Sequence, residues 1–172
     1  VDAGKSEPEQ WGDNQNGSSS TVSRTSGNML GVKFDVGSGW GSGLTFWPDA
    51  PAKNADETAN AAGATYLTVR LNAPAGVNLR FGLLESGVNW PQSKSFSGAN
   101  GADGEAYRHP GVTTLAGWQT YRIPLSELKL NGGYGNQTGN RTIDTQAVKG
   151  LEILVPGGQA SCVMEIEFMR LE

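Results

Sequence analysis

Residues 103–109, DGEAYRH, bring together the side chains of this chain that most resemble a catalytic group. His109 is the single histidine, and Tyr107 and Arg108 directly precede it. A tyrosine or histidine base next to an arginine that neutralises an acidic sugar is the combination that a jelly-roll polysaccharide lyase needs. In an extended strand, however, Tyr107 and His109 point to one face and Arg108 to the other, so the three converge only if a bulge intervenes.

Two acidic residues of the same stretch suggest a second kind of chemistry. A glycosidase needs two carboxylates that face one cleft about 5 to 10 Å apart. Asp103 and Glu105 would lie about 6 to 7 Å apart on one side of a strand, but acids in a turn such as GADGE are also common turn formers. A small jelly-roll lyase or hydrolase that uses Tyr107, His109 and these acids is therefore one interpretation of the stretch.

Other classes of function lack their sequence signals. The 172 residues contain no zinc-type spacing of His, Cys, Asp and Glu, no Gly-rich loop that opens a helix and no Ser-centred elbow. A net charge of −4 without any run of Lys or Arg argues against a nucleic-acid partner. No stretch approaches the roughly 18 apolar residues of a transmembrane helix. We therefore expect neither a nucleic-acid partner nor a membrane partner. We also expect the protein to be a monomer.

The elements that position these residues are predicted to be β-strands. With 25 glycines and only 17% charged residues, the composition favours an all-β, turn-rich protein. Cys162 is the single cysteine and predicts no intrachain disulfide. We expect one domain over 1–172, in which residues 1–28 form a polar lead-in packed on the sheets. Eight alternating runs predict the strands, at 29–36, 43–47, 64–73, 77–85, 105–109, 118–125, 150–155 and 162–171.

Five tryptophans are many for so polar a chain. Trp118 opens a predicted strand, where a structural role in closing the sandwich is expected. Trp47 alternates with core residues and should lie on an open sheet face. Trp90 and Tyr134 lie in the Gly-, Ser- and Asn-rich loops 88–104 and 131–142, where exposure is expected. Exposed rings on a polar scaffold are typical of surfaces that bind sugars.

A set of motifs in the second half of the chain points to a known family. DGEAY is followed by GWQTYRIPLSELKL, a loop with GGY, then TIDTQAVKGLEILV and a closing VMEIEFMRL. This order resembles family 11 carbohydrate-binding modules, the β-glucan-binding modules of bacterial cellulolytic enzymes. The resemblance is concentrated in 103–171 and is fainter before it, where SGNMLGVKFDV and GSGWGSG resemble earlier strands.

The resemblance implies a fold and a ligand. The fold is an all-β jelly-roll sandwich of two antiparallel sheets, galactose-binding-domain-like, with a concave ligand face. The ligand is a β-1,4 or mixed-linkage β-1,3-1,4-glucan of the plant cell wall, such as cellulose. By position, Asp103 matches a ligand-binding aspartate and Tyr134 a ligand-stacking tyrosine. Ala106 stands where the family has a ligand-binding histidine, and Asn131 stands where it has an arginine.

These departures leave room for substitutes elsewhere on the face. Arg108 should lie on the same strand face as Ala106, and Trp47 and Trp90 could rebuild the stacking platforms. Arg108 or His109 would hydrogen-bond at the cleft edge, while strand parity alone leaves open whether Tyr107 faces ligand or core. The predicted sugar-binding residues are therefore Asp103, Tyr134, Trp47, Trp90, Tyr107, Arg108, His109 and Asn131.

The resemblance also implies a cofactor and a cellular setting. Modules of this type hold structural calcium between an acidic N-terminal segment and the last strand, where Asp2 and Glu167 are the equivalents here. The expected protein is secreted, non-catalytic and part of a larger cellulase or hemicellulase that it targets to polysaccharide. Besides the lyase or hydrolase interpretation, a structural or adhesion sandwich without a sugar site is the other alternative.

Overall fold

The described part of the chain forms twelve antiparallel strands. The computed structural model describes residues 8–25, 29–47, 58–88 and 102–172. The described ranges contain three 3₁₀ turns and no α-helix, so no helix there could cross a bilayer. The strands are β1 (Glu9–Gly12), β2 (Ser19–Arg24), β3 (Leu30–Asp35), β4 (Ser42–Phe46), β5 (Tyr66–Ala73), β6 (Asn78–Glu85), β7 (Ala106–Arg108), β8 (Val112–Thr113), β9 (Gly117–Pro124), β10 (Lys129–Leu130), β11 (Val148–Val155) and β12 (Cys162–Leu171).

Two antiparallel sheets divide the strands between them. The seven-stranded sheet has the order β1-β4-β11-β6-β7-β10, with β8 paired to β6, and the five-stranded sheet has the order β2-β3-β12-β5-β9. All eight predicted strands are present, and the predicted class of two antiparallel sheets in a sandwich is confirmed. The four strands without a prediction are β8 and β10, of two residues each, and β1 and β2 in the polar lead-in.

The core lies between the two sheets and follows the alternation of the strands. In β5, Leu67, Val69 and Leu71 are fully buried, whereas Arg70 before Leu71 and Asn72 after it are only partly buried. One face of β5 is thus apolar and the other is more polar, as in an antiparallel sheet with one solvated side, whereas every residue of β4 is buried. The largest side chains of this core come from both sheets and include Phe34, Leu71, Phe46, Phe81 and Ile153.

The N-terminal lead-in contributes one strand to each sheet. β1 pairs with β4 at the edge of the seven-stranded sheet, and β2 pairs with β3 at the edge of the five-stranded sheet. Ser18 between them is fully buried, and the Ser20 hydroxyl donates to the carbonyl of Gly43 at 2.9 Å. These polar residues obtain their order from pairing with larger strands rather than from apolar area of their own.

Trp118 occupies a different position from the one expected. It pairs opposite Asn72 on β5, with its side chain on the outer face of the five-stranded sheet. The guanidinium of Arg70 lies 5.4 Å from its ring centroid. The inward positions of β9 are those of Tyr121 and Ile123. Trp118 points to the opposite side of the strand, so the expectation that it closes the sandwich was wrong.

Candidate functional site

The outer face of the seven-stranded sheet, the side away from the core, carries glycines on three neighbouring strands. Gly43 of β4, Gly150 of β11 and Gly82 of β6 all point outward, since the residue that follows each of them, Leu44, Leu151 and Leu83, faces the core. We call these three residues the glycine floor. Glycines inside strands often mark places where another group approaches the backbone closely, and all three floor glycines are buried beneath such groups.

One tryptophan pair lies at the β1 edge of the outer face. A Cβ atom at Gly43 would collide with the six-membered ring of Trp11, so that ring lies directly on the floor. Trp11 Nε1 donates to Thr45 Oγ1 at 2.9 Å, which fixes the ring. Trp40 lies against it, with ring centroids 5.6 Å apart and planes tilted by 34°, and is 53% exposed. This pair presents an apolar edge to solvent.

A second aromatic pair lies farther along the same face. Trp47 and Tyr134 both pack against a small apolar cluster of Leu84, Val88 and Ala106, which is separate from the main core. Both rings are half-buried. The predicted outward position of Trp47 agrees with this placement, whereas Tyr134 is less exposed than a residue between glycines would suggest. The two rings and their cluster form one continuous apolar patch.

Trp47 borders the glycine floor at the end opposite Trp11. A Cβ atom at Gly150 would lie 3.2 Å from Cε3 of Trp47, and Lys149 Nζ lies 5.8 Å from the Trp47 ring centroid. Among the described residues, the buried indole Nε1 of Trp47 has no hydrogen-bond partner. A buried N–H without a partner is unfavourable by about 1–3 kcal/mol, so a ligand oxygen at this position would be favoured.

The loop that carries Tyr134 is held by a hydrogen bond to β7 and by one of its own side chains. Asn131 N donates to the carbonyl of Ala106 at 2.7 Å, and Asn131 O accepts from Gln137 Nε2 at 2.8 Å. Gly135 has a φ of 77°, and a Cβ there would lie 2.9 Å from Ala106 N. Asn131, a predicted sugar contact, thus anchors the loop and positions the Tyr134 ring beside β7.

An ion pair crosses the middle of the face. Arg108 Nη2 donates to Glu152 Oε2 at 2.7 Å, with side chains 19% and 6% exposed. Gly82 lies between them in the strand register, so the arginine reaches across without a side chain in its way. Burial, followed by the charge of Glu152, raises the pKa of Tyr134, which stays a neutral phenol. Among the described residues, Arg108 Nε is buried and has no partner, which leaves one N–H for a ligand.

Asp103 lies beneath the loop that carries Tyr134. Its Oδ2 accepts from Asn140 N at 2.6 Å, and its carbonyl accepts from Asn136 Nδ2 at 2.8 Å. Among the described residues, the buried Oδ1 has no hydrogen-bond partner. Asp103 therefore has an acceptor oxygen available near the aromatic patch, but the loop covers part of it.

Tyr107 and His109 do not join Arg108 on the outer face. Tyr107 is 5% exposed within the core, and its hydroxyl donates to Glu105 Oε2 at 2.6 Å. His109 Nδ1 accepts from Gly111 N at 3.1 Å, and Nε2 lies 3.4 Å from a carboxylate oxygen of Glu127. Because side chains alternate along a strand, Tyr107 and His109 point to the opposite face from Arg108, as the sequence predicts.

Three further predicted residues lie outside this face or outside the described ranges. Trp90 and Asp2 belong to residues that the structure does not describe. Glu167 lies on the five-stranded sheet, where its Oε2 accepts from Arg70 Nε at 2.6 Å. A guanidinium in contact with this carboxylate disfavours a second cation there, so the surroundings of Glu167 do not fit the expected calcium site.

Glu152, Trp11 and Trp40 also belong to this face, although none of them was among the predicted sugar-binding residues. Glu152 alternates outward within GLEILV, a parity signal that was present in the sequence. Trp11 and Trp40 are twenty-nine positions apart in polar segments, and only the pairing of β1 with β4 brings their rings together. No local pattern reports that kind of contact.

Comparisons with known proteins bear on the fold. No protein-family model matches the chain, and no curated protein sequence matches it. A family 11 carbohydrate-binding module from Clostridium thermocellum, solved with a β-1,3-1,4-mixed-linked tetrasaccharide, superposes with a TM-score of 0.66 at 13% identity, over 99% of this chain and 92% of that one. The resemblance to family 11 that the motifs indicated is confirmed as a resemblance of fold.

Two other solved structures share the sandwich. A family 30 carbohydrate-binding module matches over 100% of this chain and 98% of its own, with a TM-score of 0.53 and 15% identity. An agarase matches over 100% of this chain but only 25% of its own, with a TM-score of 0.64 and 11% identity. The same architecture thus occurs both as a separate module and within a longer hydrolase chain.

Proposed function

We propose that this protein is a non-catalytic carbohydrate-binding module for β-1,4 or mixed-linkage β-1,3-1,4-glucan. The observation that carries the proposal is the packing of Trp47 and Tyr134 against one small apolar cluster at the edge of the glycine floor. Pyranose rings have apolar faces and hydroxyl rims, so they fit flat aromatic surfaces flanked by hydrogen-bonding groups. The outer face of the seven-stranded sheet offers both.

The polar groups on this face suit hydroxyl recognition. Arg108 Nε and Trp47 Nε1 are donors, each buried and without a partner among the described residues. Sugar hydroxyls donate and accept equally well, so a glucan that reaches these two groups can satisfy both. Tyr107 and His109 are left out of the sugar contacts because one lies in the core and the other has both ring nitrogens engaged.

The pair of Trp11 and Trp40 extends the surface along β4. Gly43, beneath Trp11, and Trp47, directly after β4, lie four residues apart, about 13 Å at about 3.3 Å per residue. A chain longer than a single sugar is needed to reach from one pair to the other. This separation favours a polysaccharide over a monosaccharide ligand.

The expected affinity is modest. Two rings that each lose about half of roughly 200 Å² contribute about 2 kcal/mol apiece at about 25 cal/mol per Å², and each hydrogen bond adds about 1 kcal/mol. Association costs about 4 to 15 kcal/mol, so the dissociation constant should lie on the order of micromolar to millimolar. Such reversible binding suits a module that keeps a secreted cellulase or hemicellulase near its substrate.

Fold likeness supports the choice of ligand class. A family 11 module of the same architecture is known with a mixed-linked β-1,3-1,4 tetrasaccharide, which puts β-glucans first in the panel to test. An agarase shares the fold as well, so agarose, a galactan, is the most informative competitor.

The test is native affinity electrophoresis in gels that contain barley β-glucan, hydroxyethyl cellulose, xyloglucan, xylan, alginate or agarose. We expect retardation by barley β-glucan and hydroxyethyl cellulose, without any loss of polymer mass or new reducing ends. Retardation by agarose alone would reassign the ligand class. Release of reducing ends or unsaturated products would favour the enzyme alternative, and free migration in every gel would favour a structural or adhesion role.

A further inference from the structure

A cluster of carboxylates lies at one end of the seven-stranded sheet. Glu85 ends β6, Asp103 precedes β7, and Asp144 precedes β11. One carboxylate oxygen from each lies within 4.8 Å of the other two. Two oxygens on opposite sides of a calcium ion at about 2.4 Å are separated by about 4.8 Å, so this spacing is compatible with three ligands of one ion.

A fourth carboxylate, that of Glu105, carries a buried oxygen without a hydrogen-bond partner among the described residues. Glu105 is 0% exposed, and its Oε2 accepts from the Tyr107 hydroxyl at 2.6 Å and from Arg141 N at 2.9 Å. Among the described residues, its Oε1 has no hydrogen-bond partner, and neither has Asp103 Oδ1. A buried carboxylate oxygen without a donor or a cation is strongly unfavourable.

These carboxylates converge beneath the loop at 136–144. A Cβ at Gly139 would lie 2.7 Å from the carboxyl carbon of Asp103 and 2.7 Å from that of Glu105, so both groups face the same point. Glu85 Oε2 accepts from Glu105 N at 3.2 Å, and Glu85 Oε1 accepts from Asp144 N at 2.8 Å. The four acids therefore form one group rather than separate pairs.

The charges of the group agree with this geometry. All four residues are acids, and one carboxylate oxygen each of Glu85, Asp103 and Asp144 lies within 4.8 Å of the other two. Like charges this close repel each other unless protons or a cation intervene. The cluster thus has a surplus of negative charge and of acceptor oxygens.

We propose that Glu85, Asp103 and Asp144 bind a divalent cation of the calcium type, with the unpaired oxygen of Glu105 turned toward the same site. Calcium takes six to eight oxygen ligands, carboxylates above all, at 2.3–2.6 Å and tolerates irregular geometry. Zinc is disfavoured because its preferred nitrogen and sulfur ligands do not occur among these residues. The ion would join β6, the entry to β7 and the 136–144 loop.

This site differs in place from the calcium site expected from the family resemblance. Glu167 lies on the other sheet, in an ion pair with Arg70. The proposed site does not depend on the identity of the sugar, since it lies at the strand ends and serves to hold the loop behind Tyr134. Binding of the ion alone can therefore be tested without any polysaccharide.

The test is titration of the metal-free protein with calcium chloride by calorimetry, together with thermal unfolding in calcium or in EDTA. Asp144→Asn is the main variant, because the side chain of Asp144 makes no capping hydrogen bond to the following 3₁₀ turn and the change keeps its shape. Glu85→Gln is the second variant, and Glu167→Gln is the matched control on the other sheet. Terbium, excited through Tyr107 next to Glu105, reports occupancy directly by luminescence.

We expect one calcium per chain, a higher midpoint of unfolding in calcium than in EDTA, and a loss of calcium affinity of about tenfold or more in Asp144→Asn and in Glu85→Gln. Glu167→Gln should bind like the parent. Circular dichroism in EDTA checks that the variants fold. No calcium binding to the parent, or loss of binding only in Glu167→Gln, would overturn the proposal.

Discussion

The two outer faces of the sandwich treat their aromatic residues in opposite ways. On the five-stranded sheet each ring is covered by an arginine that also pairs with a glutamate. The pairs of arginine and ring are Arg70 with Trp118 at 5.4 Å, Arg122 with Tyr66 at 3.5 Å and Arg170 with Phe168 at 4.4 Å. The glutamate partners are Glu167 and Glu172. This face satisfies its own charges and covers its own rings.

On the seven-stranded sheet the rings lie over glycines instead. Trp11 and Trp47 border Gly43 and Gly150, and four of the five buried side-chain atoms found without partners in the described residues lie on this face or at its end. Both faces carry aromatic residues at outward strand positions, so alternation alone does not distinguish a binding face from a solvated one. The difference lies in what covers each ring, and that depends on cross-strand register.

The largest expected difference between the faces is in stability, when the ion pair Arg108–Glu152 or Arg70–Glu167 is broken. Arg108→Ala should lower the free energy of unfolding by about 3 kcal/mol, because Glu152, whose side chain is 6% exposed, loses its partner. Arg70→Ala should lower it by less than about 1 kcal/mol, since that pair is 40% and 44% exposed. Urea denaturation measures both, and equal losses would show that the faces do not differ in burial.

A smaller effect is expected in sugar binding when one ring is removed. Tyr134→Ala should weaken binding to soluble barley β-glucan by about 1–3 kcal/mol while leaving the fold intact. Trp118→Ala, the control on the other face, should leave the affinity unchanged. Calorimetric titration of both variants decides the matter, and a loss confined to Trp118→Ala would move the site to the five-stranded sheet.

Trp40 tests how far the binding face extends. Trp40→Ala should weaken binding to long glucan chains by about 1 kcal/mol or less, because the ring is 53% exposed and lies beyond the central floor. Leu115→Ala, at a residue 63% exposed, is the control. Titration with a tetrasaccharide and with the polymer separates the contributions, and an equal loss for both ligands would place Trp40 inside the central site.

The smallest expected effect is chemical rather than energetic. Cys162 is buried at the start of β12, and burial raises the pKa of its thiol to about 11. At pH 8 it should react with a thiol reagent only after unfolding, since the thiolate is the reactive form. Absorbance of the released chromophore measures this, and rapid labelling of the native protein would indicate that this edge of the five-stranded sheet opens.

Much of the fold could be predicted because it depends on local alternation. All eight long runs form strands, and parity placed Trp47 and Arg108 outward. β8 and β10 were not predicted, because a strand of two residues is too short to show an alternating pattern. β1 and β2 were not predicted, because their polar sequences are ordered only by pairing with neighbouring strands. The error on Trp118 shows that a tryptophan in a strand is not core by default.

The candidate site was less predictable because it is assembled from distant segments. Asp103 and Tyr134 were predicted from the order of the family motifs. That Tyr134 lies in a loop and Asp103 beneath the same loop follows from contacts such as the hydrogen bond from Asn131 N to Ala106 O. Glu85 and Asp144 lie fifty-nine positions apart and meet only because β6 pairs with β11. Sequence spacing does not report such a meeting when the intervening register is unknown.

The central claim is that a glucan chain binds on the outer face of the seven-stranded sheet. The most direct measurement is a titration of ¹⁵N-labelled protein with a mixed-linkage β-1,3-1,4 tetrasaccharide, followed by amide and indole chemical shifts. We predict shifts at Gly82, Gly150, Tyr134 and the Trp47 indole, and none at Arg70 on the other sheet. Shifts that cluster around Arg70 and the five-stranded sheet, or no shifts at millimolar ligand, would contradict the account.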